Sequence, residues 1–129
     1  VAGVVNETWM DVAGFEGSYR VSSLGRVRSL ARTRVGYRGF PVGVRARVLK
    51  ASCGTNGYLF VILSRNGVNH NRMVHRLVAE SFVSRHDDET EVNHIDSDKW
   101  NNAASNLEWV THGENVAHAY RAKRAGLVV

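Results

Sequence analysis

Cysteine and proline are almost missing from this 129-residue chain, which has one of each. Cys53 alone cannot close an internal disulfide, and without a second cysteine the Cys-rich structural zinc sites are excluded. Long hydrophobic runs are missing too. The longest, Tyr58 to Leu63, falls far short of the ~20 residues a membrane-spanning helix needs, and no signal-peptide pattern opens the chain. These absences lead us to expect a soluble, cytoplasmic protein with no membrane partner. With 43% hydrophobic residues the chain can bury one modest core, or two small lobes sharing it, but not two large domains. No internal repeat or low-complexity tract is present.

Lysine is scarce as well: 14 of the 17 basic residues are arginine. Arginine binds phosphate bidentately and stacks on bases, so this bias favours a nucleic-acid partner over a membrane surface. The charge is also unevenly placed. Residues 1–85 carry +9 and residues 86–129 carry −4, within a net charge of +5. The acidic half therefore needs an explanation of its own.

Along the chain, Tyr19-Arg-Val-Ser and Arg26-Val-Arg-Ser-Leu alternate in polarity like half-buried strands. Ser23-Leu24-Gly25 between them offers a glycine for a left-handed turn position, which predicts a β-hairpin. Ala31 to Arg47 has no sustained period, carries Arg32, Arg34, Arg38, Arg45 and Arg47, and is punctuated by glycines and the only proline, Pro41. It reads as a mobile basic loop or arm. Val48 to Ser52 and Gly57 to Leu63 read as strands, and Arg65-Asn66-Gly67 as a turn into a return strand from Val68 to Met73. The period then changes. Val74, Leu77, Val78 and Phe82 lie at helical spacing with no Gly or Pro among them, which predicts a short amphipathic helix. An acidic linker, Ser84 to Thr90, follows.

The densest chemistry lies between Glu91 and His118, EVNHIDSDKWNNAASNLEWVTHGENVAH. Glu91 to Ile95 can form a strand, Asp96 to Lys99 a turn, and Leu107 to Val110 a second strand. Thr111 with Glu114 three residues on is a capping-box signature, so a helix is expected from His112 to about Arg124. Asn115 and His118 are three apart and share a face of that helix. Asp96 and Asp98 read as turn-formers, and Trp9, Trp100 and Trp109 as core or lobe-interface aromatics.

The pattern NHID-x-DK-x-NN-x-x-SNLEWVT-x-x-EN, Asn93 to Asn115, closely resembles the HNH homing endonucleases of the phage- and intron-associated type. Gly14 to Leu30, GFEGSYRVSSLGRVRSL, resembles the N-terminal module of those enzymes, and Gly57–Gly67 with Val74–Phe82 resembles the segment that joins it to the catalytic finger. The resemblance covers about residues 7 to 120. It implies an α+β fold in which a basic β-rich N-terminal lobe precedes a ββα-metal (HNH, His-Me finger) catalytic lobe. In residue terms it implies a DNA-recognition module at 1–52, built of the hairpin and the Arg-rich arm, and a nuclease region at 53–129 with its finger at about 91–124.

The same resemblance implies a metal-dependent endonuclease that hydrolyses double-stranded DNA inside a bacterial host or a phage-infected cell. His94 falls on the family's general base; an ordinary imidazole, with a pKa near 6.5, suits that role at neutral pH. Asn106 falls on the central asparagine that fixes the loop orienting the histidine. Asn115 matches a metal-ligand position, and Asn93 occupies a second one that is often Asp in related enzymes. Hard amide oxygens suit Mg²⁺ or Mn²⁺, which keep several waters and take the phosphate as a ligand. With two neutral ligands, the phosphate and waters are left to supply the negative charge, so weak binding without DNA is expected. His75 reads as structural or phosphate-contacting and His118 as a packing or surface residue. Arg26, Arg28, Arg32, Arg34, Arg38, Arg45 and Arg47 are the candidate DNA contacts. The competing reading is a non-catalytic DNA-binding module derived from such a nuclease, which would bind DNA in a salt-sensitive way without metal-dependent cutting. The residues leave oligomeric state and target sequence open.

Overall fold

The computed structural model describes residues 6–126. In chain order the elements are β1 (Trp9–Asp11), β2 (Tyr19–Ser22), β3 (Val27–Ser29), β4 (Arg32–Val35), β5 (Pro41–Val44), β6 (Arg47–Val48), β7 (Ser52–Cys53), β8 (Leu59–Arg65), β9 (Val68–Met73), α1 (Val74–Phe82), β10 (Glu91–His94), β11 (Leu107–Val110) and α2 (His112–Arg124). The strands form four antiparallel sheets, ordered β1-β2-β3-β6, β4-β5, β7-β8-β9 and β10-β11. This is the α+β class expected, and no helix among the described residues is long and apolar enough to cross a membrane.

Most elements form where local chemistry demands them. The β2–β3 turn is held by Ser22, whose buried Oγ accepts from the backbone N–H groups of Leu24 and Arg26. Gly25 takes the left-handed conformation there, at φ 92°. Between β8 and β9, Asn66 and Gly67 both have positive φ, the requirement of a two-residue hairpin turn. Helix α2 starts with a complete capping box, Thr111 accepting from Glu114 N–H and the Glu114 carboxylate accepting from Thr111 N–H.

Two expectations are corrected. Ala31 to Arg47 is not a loose arm: β4 and β5 pair as a two-stranded ribbon, Arg32 opposite Val44 through Val35 opposite Pro41. Pro41 sits at the start of an edge strand, where its missing N–H costs nothing. Val48 to Ser52 is not one strand either. The chain leaves the first sheet after β6 and joins the third at β7, so Leu49 and Ala51 pack against the core from irregular backbone.

One hydrophobic cluster runs through the molecule, joining Val12, Phe15, Tyr19, Val21 and Val27 to Val61, Leu63, Val74, Leu77, Val78, Val92, Leu107 and Trp109. Polar ties fix the same junctions. The Tyr19 hydroxyl accepts from Ser64 N–H at 2.9 Å and from Arg32 at 3.1 Å. The Trp109 indole N–H reaches the carbonyls of Ala79 and Val83 at 3.2 and 3.1 Å, closing the end of α1 onto β11. Trp109 is therefore a core aromatic, whereas Trp100 is 62% exposed and not one. Trp100 sits in a surface turn closed by Asn101 N–H to the Asp98 carbonyl at 3.1 Å.

Candidate active site

The hairpin β10–β11 and the helix α2 enclose a cleft of about 310 Å³ that brings together Asn93, His94, Asn115 and His118, with Lys99 from the loop between the strands and Tyr58 from outside the finger. Register explains the arrangement. Antiparallel pairing sets Val92 opposite Trp109 and His94 opposite Leu107, on the face turned to the core, and Asn93 opposite Glu108 on the other.

His94 is buried at 4% exposure, with its ring 5.8 Å from Tyr58 and 5.1 Å from His75. Its Nε2 lies 2.7 Å from Oδ1 of Asn102, itself 4% exposed. An amide oxygen only accepts, so Nε2 carries the proton and the lone pair is on Nδ1. Asn102 is in turn pressed by the β2–β3 turn: a Cβ on Gly25 would come within 2.9 Å of the Asn102 Cβ. The N-terminal hairpin thus packs directly against the residue that holds the histidine.

Asn106 holds the loop between the two strands. Its Nδ2 donates to Asp96 Oδ1 at 2.9 Å and to the Asn101 carbonyl at 2.8 Å, and its Oδ1 accepts from Asp96 N–H at 3.1 Å. Asp96 also accepts from Asp98 N–H and the Asn101 amide, and these donors, Asn101 foremost, hold its carboxyl below the usual range. Both aspartates are turn-formers: Asp98 accepts from Trp100 N–H.

The two candidate metal ligands are each tied to a carboxylate. Asn93, 6% exposed, donates from Nδ2 to Glu108 at 2.9 Å, and Asn115 donates from Nδ2 to Glu91 at 2.9 Å. Glu91 also meets His112 Nδ1 at 2.6 Å, and the Asn115 amide first, His112 second, keep its carboxyl low. Among the described residues no three His, Cys, Asp or Glu side chains group to hold a metal. The Asn93 and Asn115 amides line the cleft beside the Glu91 carboxylate, and their oxygens are hard ligands of the kind Mg²⁺ or Mn²⁺ takes alongside water and phosphate. The residues fit such an ion. His118 donates from Nε2 to the Ile95 carbonyl at 3.2 Å, which fits a packing role.

The arginines divide. Arg34, Arg38, Arg45 and Arg47 are exposed on or beside the ribbon. Arg28 lies over the Trp9 ring at 4.8 Å. Arg26 is bound through both Nε and Nη2 by Glu7, whose carboxyl that contact lowers to about 2. Arg32 faces inward. It donates to the carbonyls of Ser18 and Leu30, to Ser29 Oγ and to the Tyr19 hydroxyl, so its donors are spent on the fold and it is not a free DNA contact.

Sequence reasoning gave no role to Asn102, Tyr58, Lys99, Glu91 or Glu108. Lys99 reaches across to the Asn56 carbonyl at 3.0 Å and lies 4.7 Å over Tyr58, bridging the third sheet to the finger. Only Glu108 had a readable signal, since pairing the two predicted strands sets it opposite Asn93.

Two family models match the chain, the NUMOD4 motif over residues 7–64 and HNH endonuclease over residues 72–117. DNA endonuclease I-HmuI of Bacillus phage SP01 is 34% identical over 108 residues, 84% of this chain and 55% of that protein. The uncharacterized HNH endonuclease L247 of Acanthamoeba polyphaga mimivirus is 35% identical over 119 residues, 88% of this chain and 26% of that protein. A solved structure titled for DNA binding and cleavage by the HNH homing endonuclease I-HmuI superposes with a TM-score of 0.73 at 32% identity, over 95% of this chain and 61% of that one. The chain spans between about a quarter and just over half the length of these curated relatives.

Proposed function

The chain belongs to the HNH endonuclease family, and from that premise we propose that it hydrolyses phosphodiester bonds of double-stranded DNA as a homing-type nuclease using one divalent metal ion. The observation that carries this reading is His94, buried in the cleft with Nε2 fixed by Asn102 and Nδ1 left to accept a proton. His94 takes the proton of the attacking water through Nδ1. Asn106 holds the loop that fixes His94 in place, and Asn93 and Asn115 would hold the ion through their Oδ1 atoms. Mg²⁺ or Mn²⁺ bound there would act as a Lewis acid on the phosphate and stabilise the leaving oxygen.

Recognition falls to residues 1–52 and hydrolysis to residues 53–129, a division of labour within one shared core. The exposed Arg34, Arg38, Arg45 and Arg47, with Arg28, supply the phosphate contacts, and the β4–β5 ribbon has dimensions that a major groove admits.

The test is incubation of supercoiled plasmid and mixed phage and bacterial DNA with Mg²⁺, Mn²⁺ or EDTA, beside a His94→Ala protein shown to be folded. Cutting that needs metal and is lost in the variant is the expected result. DNA that is bound but left intact by the unaltered protein in every metal would instead make the chain a non-catalytic DNA-binding module.

A further inference from the structure

A pair of neutral amides is a poor trap for a divalent cation, because neither brings charge to offset the ion's dehydration. Yet each amide is attached to charge. Asn93 gives its Nδ2 to Glu108 and Asn115 gives its Nδ2 to Glu91, both at 2.9 Å. Two independent features of the fold create these contacts. Strand register sets Asn93 across from Glu108, while the capping box at Thr111 fixes where α2 begins and so puts Asn115 in its first turns, over Glu91 at the start of β10.

We propose that Glu91 and Glu108 are positioning residues that lock the Asn115 and Asn93 amides with Oδ1 presented to one divalent cation and place two negative charges a single amide away from it. The inference deepens the proposed function and rests on its assignment of Asn93 and Asn115 as ligands. An amide whose N–H₂ end is held by a carboxylate cannot turn that end toward a cation, so the oxygen is the atom left to ligate. The same hydrogen bond polarises the amide and raises the electron density on that oxygen, as a carboxylate does through a metal-bound histidine. Charge acting from behind the ligand keeps a share of its Coulomb attraction, since that falls only as the inverse of distance. Coordination positions meanwhile stay open for water and phosphate. A site built this way spends its carboxylates on affinity without blocking the substrate.

Mn²⁺ binding to the full chain, read from loss of the free-ion electron paramagnetic resonance signal, tests this without recourse to activity. Alanine at Glu91 or Glu108 removes both the charge and the amide's anchor, and each is expected to weaken Mn²⁺ about 10- to 100-fold. Glu91→Gln and Glu108→Gln keep an oxygen that accepts from the asparagine while removing the charge, so each should fall between the unaltered protein and its alanine variant. These near-isosteric variants carry the test if an alanine variant fails to fold. Asn93→Ala and Asn115→Ala should abolish binding. If both asparagine variants lose Mn²⁺ while all four glutamate variants bind like the unaltered protein, the positioning role is overturned and the ligand assignment stands. If Glu91→Ala abolishes binding and Asn115→Ala does not, Glu91 is itself a ligand and the proposal fails in that form. If the asparagine variants bind Mn²⁺ as the unaltered protein does, the ligand assignment falls and takes the inference with it.

Discussion

His75 carries a cost of burial. It is 8% exposed, packed 4.8 Å from Tyr58 and 5.1 Å from His94, and its Nδ1 has no hydrogen-bond partner among the described residues. Burial first, then the neighbouring His94 and Arg76, lowers its pKa from 6.5 to about 4, so it is neutral at neutral pH. The unfolded chain therefore binds this proton more readily than the folded one between those two values, and folding stability rises with pH across that window. Stability should be fully present above pH 6.5 and fall by up to about 3 kcal/mol as the pH drops to 4. Urea unfolding at half-unit pH steps checks this, and His75→Phe should flatten the slope. A second residue-scale prediction concerns Asn102. Without its Oδ1, His94 loses the acceptor that fixes its tautomer, so Asn102→Ala should lower kcat about 10- to 100-fold with DNA affinity unchanged. Asn102→Asp, which keeps an acceptor, should recover part of that loss in single-turnover cleavage. The motif pointed to His94 and Asn106, which the fold places in the cleft and at its loop, but it did not point to Asn102. It stands inside the same motif, and only the folding-back of the loop shows that it reaches a residue eight positions away.

Elements were legible where one face is buried. Helices α1 and α2, the β2–β3 and β8–β9 hairpins and the finger's two strands announce themselves by period and by capping or turn residues, and their bounds agree closely with the reading of the chain. The β4–β5 ribbon gave only a weak signal because little of it is buried: Thr33, Arg34 and Val35 of β4 and Tyr37, Arg38 and Phe40 of the connecting turn are exposed, and Val42 and Val44 of β5 are no more than half-buried. Nor could periodicity show which loop touches which. The β2–β3 turn docks on the finger through Gly25 against Asn102 and through Ala104 N–H to the Ser23 carbonyl at 2.8 Å. Gly25→Ala would need a side chain at φ 92° and a Cβ 2.9 Å from that of Asn102. It should destabilise the protein by about 1–3 kcal/mol in chemical denaturation. Because the strain falls on Asn102, cleavage should also drop further than a distant change of equal stability cost would drop it, which a matched pair of variants measures.

At the scale of the whole molecule the division is electrical and not mechanical, since a single core joins a half carrying +9 to a half carrying −4. A basic half beside an acidic one is what the proposed function calls for, with a polyanion held in one place and a cation gathered in another. The total charge was readable at once, but which arginines remain free was not, because pairing and burial are properties of the fold. Among the sequence candidates, Arg32 is consumed by four oxygen acceptors and Arg26 by Glu7, whereas Arg34, Arg45 and Arg47 face solvent. The two groups should separate in one pair of measurements. Each phosphate neutralised by a cationic side chain releases condensed counterion, so the logarithm of the DNA association constant falls with the logarithm of salt concentration by about 0.9 per contact. Alanine at Arg34, Arg45 or Arg47 should therefore reduce that slope by about 0.9 wherever the side chain meets a phosphate, and leave the urea midpoint unchanged. Arg32→Ala should do the reverse. It takes a charged donor from the Leu30 carbonyl and from the Ser29 and Tyr19 hydroxyls, while the Ser18 carbonyl keeps Leu30 N–H at 2.8 Å, so it should cost about 2–3 kcal/mol of stability while the salt slope stays as it was. An Arg32→Ala protein with full stability and a shallower slope would put that guanidinium on the DNA and not in the fold.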